Sequence, residues 1–228
     1  MAEGRSVLDG SPVFWMFLKF VLLGPVLRLL FRPQVTGLEH IPPEGGAILA
    51  ANHVSFLDPL ILPLVVPRRR VMFLTKVKYI DKPLLHWFLR GAGVIPVPTD
   101  DPGAVGRAVA AGVEAVLDGR LIGIFPEGTR SPDGRLHRGK TGVARIAIQA
   151  AVPVIPAGIT GTDLAFPRGA RLPRPHSVRI TFGPPIRLAA PAGTGSDTAL
   201  SRRATDEVMA AIAALSGQQV AARITPAA

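Results

Sequence analysis

Residues 47–51, 71–74, 94–97, 121–125, 152–159 and 178–182 form short runs that are apolar at nearly every position. Each is too short for a typical helix, and apart from 178–182 (VRITF), where Arg179 and Thr181 separate the apolar residues, none alternates apolar with polar as a half-exposed strand would. Such runs suit strands covered on both faces, which is the habit of parallel sheets. Between them, Ala104, Val105, Ala108, Val109, Val113, Val116 and Leu117 recur with helical period, and residues 140–151 and 199–215 carry a similar pattern. Strands alternating with helices predict an α/β fold: a mostly parallel central sheet covered by helices on both faces. At 228 residues the chain can bury one substantial core. We expect an apolar helical, membrane-associating segment at 1–34, the α/β domain at 35–217, and a flexible tail at 218–228.

The N-terminal run VFWMFLKFVLLGPVLRLLF (13–31) contains only Lys19 and Arg28 as charges. Its nineteen residues reach bilayer-spanning length. The two charges and the Gly24-Pro25 pair argue against a span, since proline should split the run into two short helices. An interfacial arrangement fits better, with apolar faces in the acyl boundary and Lys19, Arg28 and Arg32 snorkelling to lipid phosphates. A spanning helix and a helix pair packed on the domain's own core remain the alternatives. No small-residue cleavage site follows, which disfavours a signal peptide.

Lys and Arg total 26 against 16 acidic residues, a net charge of +10. That balance fits nucleic acid or an anionic membrane surface. Nucleic acid is the poorer match, because zinc-finger, RRM and helix-turn-helix signatures are missing and one Tyr offers little for base stacking. With no cysteine, the chain has no disulfide, thiolate nucleophile or cysteine-bound metal.

Polar residues interrupt the strand-like runs in three places. Asn52-His53-Val54-Ser55-Phe56-Leu57-Asp58 follows the 47–51 run, where an open α/β sheet binds its ligands. Asp58-Pro59 reads as N-cap plus first helical residue. A strand–turn–helix path would let the Asp58 carboxylate reach back to His53 Nδ1 and leave Nε2 as a base. The alternative is a strand-end histidine satisfied by backbone. Phe125-Pro126-Glu127-Gly128-Thr129-Arg130-Ser131 follows the 121–125 run. Gly128 permits close backbone approach, Arg130 offers a planar fork for phosphate, and Glu127 either bonds a substrate hydroxyl or steadies Arg130. The bland reading is a polar turn with a surface ion pair. Lys76, Arg138, Lys140 and Arg145 are dispersed cations, either solvated or in contact with phosphate. His40, His86, His137 and His176 have no carboxylate at suggestive spacing and read as structural.

NHVSFLD (52–58), GVIPVP (93–98), FPEGTRS (125–131) and VPVIPAGITG (152–161) occur in that order. Together they resemble the four motifs of the glycerolipid acyltransferase family typified by bacterial 1-acyl-sn-glycerol-3-phosphate acyltransferase. RGKTGVARIA (138–147) and FGPPIRL (182–188) are also similar to family segments, so the resemblance spans roughly residues 35–190. It implies transfer of a fatty acyl group from acyl-CoA or acyl carrier protein, as co-substrate, to the hydroxyl of a lysophospholipid at the cytoplasmic face of the cell membrane. No cofactor and no metal is implied. His53 would be the general base and Asp58 its orienting partner; Glu127, Gly128, Thr129 and Arg130 would bind the acceptor, with Arg130 on its phosphate, and Lys76 would assist.

Pro98-Thr99 stands where the family's second motif commonly carries an arginine that meets the acceptor phosphate. Either another cation compensates, or the acceptor is a different lysolipid, a glycolipid or an acylated amino acid lipid. A catalytically silent lipid-binding protein is the non-enzyme alternative. Ser55 beside His53 leaves a covalent serine mechanism open, although no nucleophile-elbow motif surrounds it.

Overall fold

The computed structural model describes residues 11–67, 69–76, 93–97, 103–188 and 198–221. Its strands are β1 (Gln34–Thr36), β2 (Ala47–Ala51), β3 (Val71–Lys76), β4 (Val94–Val97), β5 (Leu121–Ile124), β6 (Val154–Thr160) and β7 (Arg179–Phe182). They form one sheet in the order β1-β7-β6-β2-β5-β3-β4. From β6 to β4 every pairing is parallel, β7 runs antiparallel to β6, and β1 pairs parallel with β7.

The helices are α1 (Pro12–Phe17), α2 (Leu23–Phe31), α3 (Asp58–Val65), α4 (Ala104–Leu117), α5 (Gly142–Ala150), α6 (Thr162–Ala165) and α7 (Thr198–Ser216). β2 sits at the sheet's centre and all five of its residues are buried. Its alternation sorts the core into two layers. Ile48 and Ala50 pack with Val109, Val116, Val143, Ile146, Val208 and Ile212 of α4, α5 and α7. Ala47, Leu49 and Ala51 face the other way, onto Phe31 of α2 and Ile61 and Leu62 of α3. The expected fold class is therefore the observed one, and continuous apolarity in the strands reflects cover on both faces.

The N-terminal run departs from expectation. Gly24-Pro25 does not split it; a π-helical turn, Leu18–Leu22, joins α1 to α2 in one continuous helical path. The turn is wide enough to absorb the proline without a break. It also presses the Lys19 carbonyl against residue 24, where a Cβ would lie 1.7 Å from that oxygen, so only glycine fits. Lys19 does not snorkel outward. It is buried, and its Nζ donates to the carbonyls of Pro63 and Val66 at the carboxyl end of α3. The negative end of a helix dipole favours a cation there. Trp15, Leu18 and Phe31 are buried with it, while Val13, Met16, Phe17, Phe20, Val21, Leu22, Val26 and Leu29 are exposed.

Two expected boundaries also move. The division between residues 34 and 35 falls inside β1, whose pairing with β7 makes this stretch part of the sheet. Residues 218–221 do not fray: Leu136 pairs with Val220, and Gln218 Nε2 donates to the Gly134 carbonyl at 2.7 Å. The Leu136 amide donates to the Gln219 carbonyl and the Ala221 amide to the Leu136 carbonyl, each at 2.9 Å, so these backbone groups find partners that a free tail would have to seek in water.

Candidate active site

Parallel pairing places the carboxyl ends of β2 and β5 side by side, with Ala50 opposite Ile124. The two polar motifs, nearly seventy residues apart in the chain, thus leave the sheet as neighbouring loops. The Ser131 amide donates to the His53 carbonyl at 2.7 Å and ties the loops together. Asn52, fully buried, binds β6 through both ends of its amide: Nδ2 donates to the Ile159 carbonyl at 2.8 Å and Oδ1 accepts from the Ile159 amide at 2.7 Å. It extends the sheet ladder one step past β2 and sets the direction in which His53 leaves the sheet.

Asp58 begins α3, yet its carboxylate turns back instead of capping the helix. Oδ2 accepts from His53 Nδ1 and from the amides of Val54 and Ser55, each at 2.8 Å. Oδ1 accepts from Thr162 Oγ1 at 2.6 Å, from the start of α6 just beyond β6. The carboxylate is fully buried, and these four hydrogen bonds are what make its burial tolerable. Because Asp58 accepts, the proton of a neutral His53 resides on Nδ1 and Nε2 carries the lone pair. The ring also stacks on Phe125, centroids 4.2 Å apart and planes 19° from parallel. Phe125 stacks in turn on Phe73 at 5.4 Å, for which Gly123 makes room, since a Cβ at that position would meet the Phe73 ring at 2.4 Å. The imidazole is held from one edge and one face, with 16% of its side chain exposed. Ser55 is buried and donates its hydroxyl to the Phe166 carbonyl at 3.1 Å, so it is not a nucleophile paired with His53.

Glu127 turns inward beneath the second loop. It is 5% exposed, and neither carboxyl oxygen has a hydrogen-bond partner among the described residues. Burial pushes its carboxyl up to about 7. The His53 amide opposes this most, close to the carboxyl but short of hydrogen-bond geometry, followed by the charge and amide of His137; the Asp58 carboxylate reinforces the rise. Glu127 makes no ion pair with Arg130, so it does not steady that arginine. Arg130 instead lies over the exposed Phe56 ring, 4.6 Å from its centroid, which brings it beside the histidine loop. Gly128 adopts φ +70 at the turn, and Thr129 is exposed. Lys76 ends β3, the strand next to β5, at the same carboxyl edge of the sheet. Pro98-Thr99 lies outside the described residues.

Sequence reasoning missed three contributors. Thr162 and Asn52 work through partners more than a hundred residues away. His137 is not without a carboxylate: its Nε2 meets Asp133 Oδ1 at 2.8 Å, and this bond above all holds the Asp133 carboxyl down to about 2. The spacing of four residues was visible in the sequence, but the segment is a turn, so a helical reading gives no warning of it.

A family model described as Acyltransferase matches residues 32–160, more than half of the chain, including the loops that carry His53 and Glu127. The chain belongs to the acyltransferase family. A chloroplastic 1-acyl-sn-glycerol-3-phosphate acyltransferase of Brassica napus is 33% identical over 158 residues, covering 68% of this chain and 45% of that protein. The corresponding enzyme of Bacillus subtilis is 24% identical over 165 residues, covering 72% of this chain and 78% of that one. The crystal structure of the 1-acyl-sn-glycerophosphate acyltransferase PlsC from Thermotoga maritima superposes with a TM-score of 0.65 at 29% identity, covering 89% of this chain and 87% of that chain. The chain spans about half the length of the plant relatives it matches.

Proposed function

We propose that the protein transfers a fatty acyl group from a thioester donor, acyl-CoA or acyl carrier protein, to the free hydroxyl of 1-acyl-sn-glycerol 3-phosphate. The observation that carries this reading is the locked His53–Asp58 pair beside a serine whose hydroxyl is already committed elsewhere. A base without an enzyme nucleophile suits a reaction in which the acceptor brings the nucleophile. His53 Nε2 takes the proton of the acceptor hydroxyl. The oxygen attacks the thioester carbonyl, the tetrahedral intermediate expels the sulfur, and the imidazolium returns its proton to the leaving thiolate. Asp58 stabilises the transient imidazolium and keeps the ring in register without itself accepting the proton.

A panel of lysolipid acceptors incubated with one acyl-CoA and scored by mass spectrometry tests the reaction and its acceptor together. Phosphatidic acid as the main product supports the reading; absence of any acylated product across the panel rejects it. Arg130, held over Phe56 with no carboxylate partner among the described residues, is the phosphate ligand in this reading. Arg130→Ala should raise the KM for lysophosphatidic acid about 10- to 100-fold, the worth of a charge-assisted hydrogen bond, and change that for a neutral monoacylglycerol little. An equal loss on both acceptors would rule out the phosphate role.

The reading also includes docking at the cytoplasmic membrane face. The helical path from α1 to α2 buries Trp15, Leu18, Lys19 and Phe31 against the domain and leaves Met16, Phe17, Phe20, Val26 and Leu29 exposed, with Arg28 and Arg32 also exposed at its end. An apolar stripe with flanking cations is the composition of an interfacial helix on anionic lipid. Replacing Phe20, Val21 and Leu29 together by Gln should move the full chain from the membrane pellet to the supernatant while its melting temperature is kept. Retention in the pellet would count against this surface.

A further inference from the structure

Among the described residues the most exposed large apolar side chain is Leu172, at 78%, followed by Val13 and Leu29 at 76%. Val13 and Leu29 lie on the N-terminal helical path, on α1 and α2. Leu172 comes far later in the chain, in the loop FPRGARLPRPHS (166–177) between α6 and β7. Arg168, Arg171, Arg174 and His176 surround it in sequence and are exposed as well.

Backbone bonds hold this loop and place it. The Arg174 amide donates to the Ala165 carbonyl at 2.7 Å and closes the neck; within the loop, the Ala170 amide donates to the Pro167 carbonyl at 3.1 Å. Past the neck, the amides of His176 and Val178 donate to the carbonyls of Leu30 and Phe31, at 3.1 Å and 2.8 Å. These carbonyls end α2, so the loop leaves the domain beside the stretch where Arg28, Leu29 and Arg32 are exposed. At its other end, the Phe166 carbonyl accepts the Ser55 hydroxyl, two residues from His53. One segment thus bridges the apolar helical face and the histidine loop.

A solitary exposed leucine is ordinary, and so are unpaired surface arginines. Their combination is what sets this loop apart. Arg135, Arg138 and Arg145 also take part in no described ion pair, but the apolar residues among them, Leu136, Val143 and Ile146, are buried at 1% to 2%. Around Leu172 the apolar group and the cations are exposed together, with no acidic residue between Asp163 and Asp197. A bilayer takes both parts at once: leucine in the acyl boundary and guanidinium groups at the headgroup phosphates.

We propose that loop 166–177 is a second membrane contact, in which Leu172 enters the acyl boundary and Arg168, Arg171 and Arg174 engage the phosphates of an anionic bilayer surface. The proposal rests on the docking reading for the presence of a bilayer and goes beyond it by giving the domain two attachments. A helix lying on a surface leaves the domain free to tilt about it. A second contact at the end of α2 removes that freedom and holds the loop carrying His53 at the bilayer.

The test uses the full chain and vesicles of phosphatidylcholine with or without phosphatidylglycerol. Arg168→Gln, Arg171→Gln and Arg174→Gln combined should weaken partitioning onto the anionic vesicles on the order of 100-fold, about fivefold per arginine, and change partitioning onto pure phosphatidylcholine less than about twofold. Leu172→Gln should weaken both about tenfold. Because the chain has no cysteine, Leu172→Cys accepts a single environment-sensitive fluorophore, whose emission should shift to the blue on anionic vesicles. Circular-dichroism melts close to the parent's verify folding. Emission that stays at its aqueous position, with the arginine variant binding like the parent, overturns this contact and leaves the helical docking face standing. Binding that survives Phe20→Gln, Val21→Gln and Leu29→Gln but is lost in the arginine variant keeps the loop and removes the helical face. An arginine variant that binds vesicles normally while the KM for an acyl carrier protein donor rises assigns the loop to an acidic carrier and overturns the proposal.

Discussion

His53→Ala should cut transfer of radiolabelled acyl groups from acyl-CoA to lysophosphatidic acid about 1,000-fold in kcat, the middle of the range for losing a positioned general base. Acceptor KM should move far less, because in the proposed reaction the imidazole acts on the proton in flight while Arg130 would hold the other end of the molecule. Folding should survive. Asp58 keeps the Val54 and Ser55 amides and the Thr162 hydroxyl, so its buried charge loses one of four hydrogen bonds and is not orphaned. A melting curve close to that of the parent, together with lost turnover, is the expected pair of results. Undiminished turnover would remove His53 from the chemistry. A collapse in stability would show that the histidine's main service is to Asp58.

Glu127→Gln should separate activity from stability. In the unfolded chain the Glu127 carboxyl titrates at its ordinary value of 4.5; in the folded chain burial raises it to about 7. Between those values the folded state holds a proton that the unfolded state has released, so stability falls as pH rises. The favourable contribution is full below pH 4.5 and is lost as pH climbs through 7, for a total of about 3 kcal/mol at most. Glutamine keeps the shape and cannot ionise. Urea melts from about pH 5 to about pH 8.5, a range that brackets the folded carboxyl's titration, should therefore show the variant gaining on the parent as pH rises, while acceptor turnover drops. Every other ionisable group is common to both proteins, so the difference between the two curves isolates Glu127. Parallel curves would mean that the carboxyl is not strained by burial.

That strain is itself informative about how the site is made. A carboxyl with both oxygens unpaired under a turn is a poor choice for stability and a reasonable one for a group awaiting a hydroxyl. Asp58 is the opposite case: fully buried, every approach filled, and useful because it does not move. The two carboxyls belong to adjacent loops of one sheet edge, and their different environments separate their tasks.

Much of this was legible in the chain. Apolar runs without alternation specified strands covered on both faces, and β2 and β4 appear with the predicted ends. The five-residue step from His53 to Asp58 foretold a carboxylate reaching back to an imidazole, because a strand leading through a turn into a proline-started helix brings the two together locally. What failed depended on partners remote in sequence. Pro25 is a helix breaker by itself; a π-helical turn and a glycine under the Lys19 carbonyl let the helix continue. Lys19 is a snorkelling residue on any isolated helix, but here the end of α3 offers it carbonyls. Local rules govern what a few consecutive residues prefer, so the strands, the His–Asp pairing and the candidate chemistry could be read from order and spacing alone. Strand pairing brings β2, β5 and β6 together at the sheet's centre. Only that arrangement decides that Thr162 supports Asp58, that Phe125 backs His53 and that Lys140 lies over Gly128, because contacts across the sheet depend on register and loop direction, which no short stretch of residues encodes.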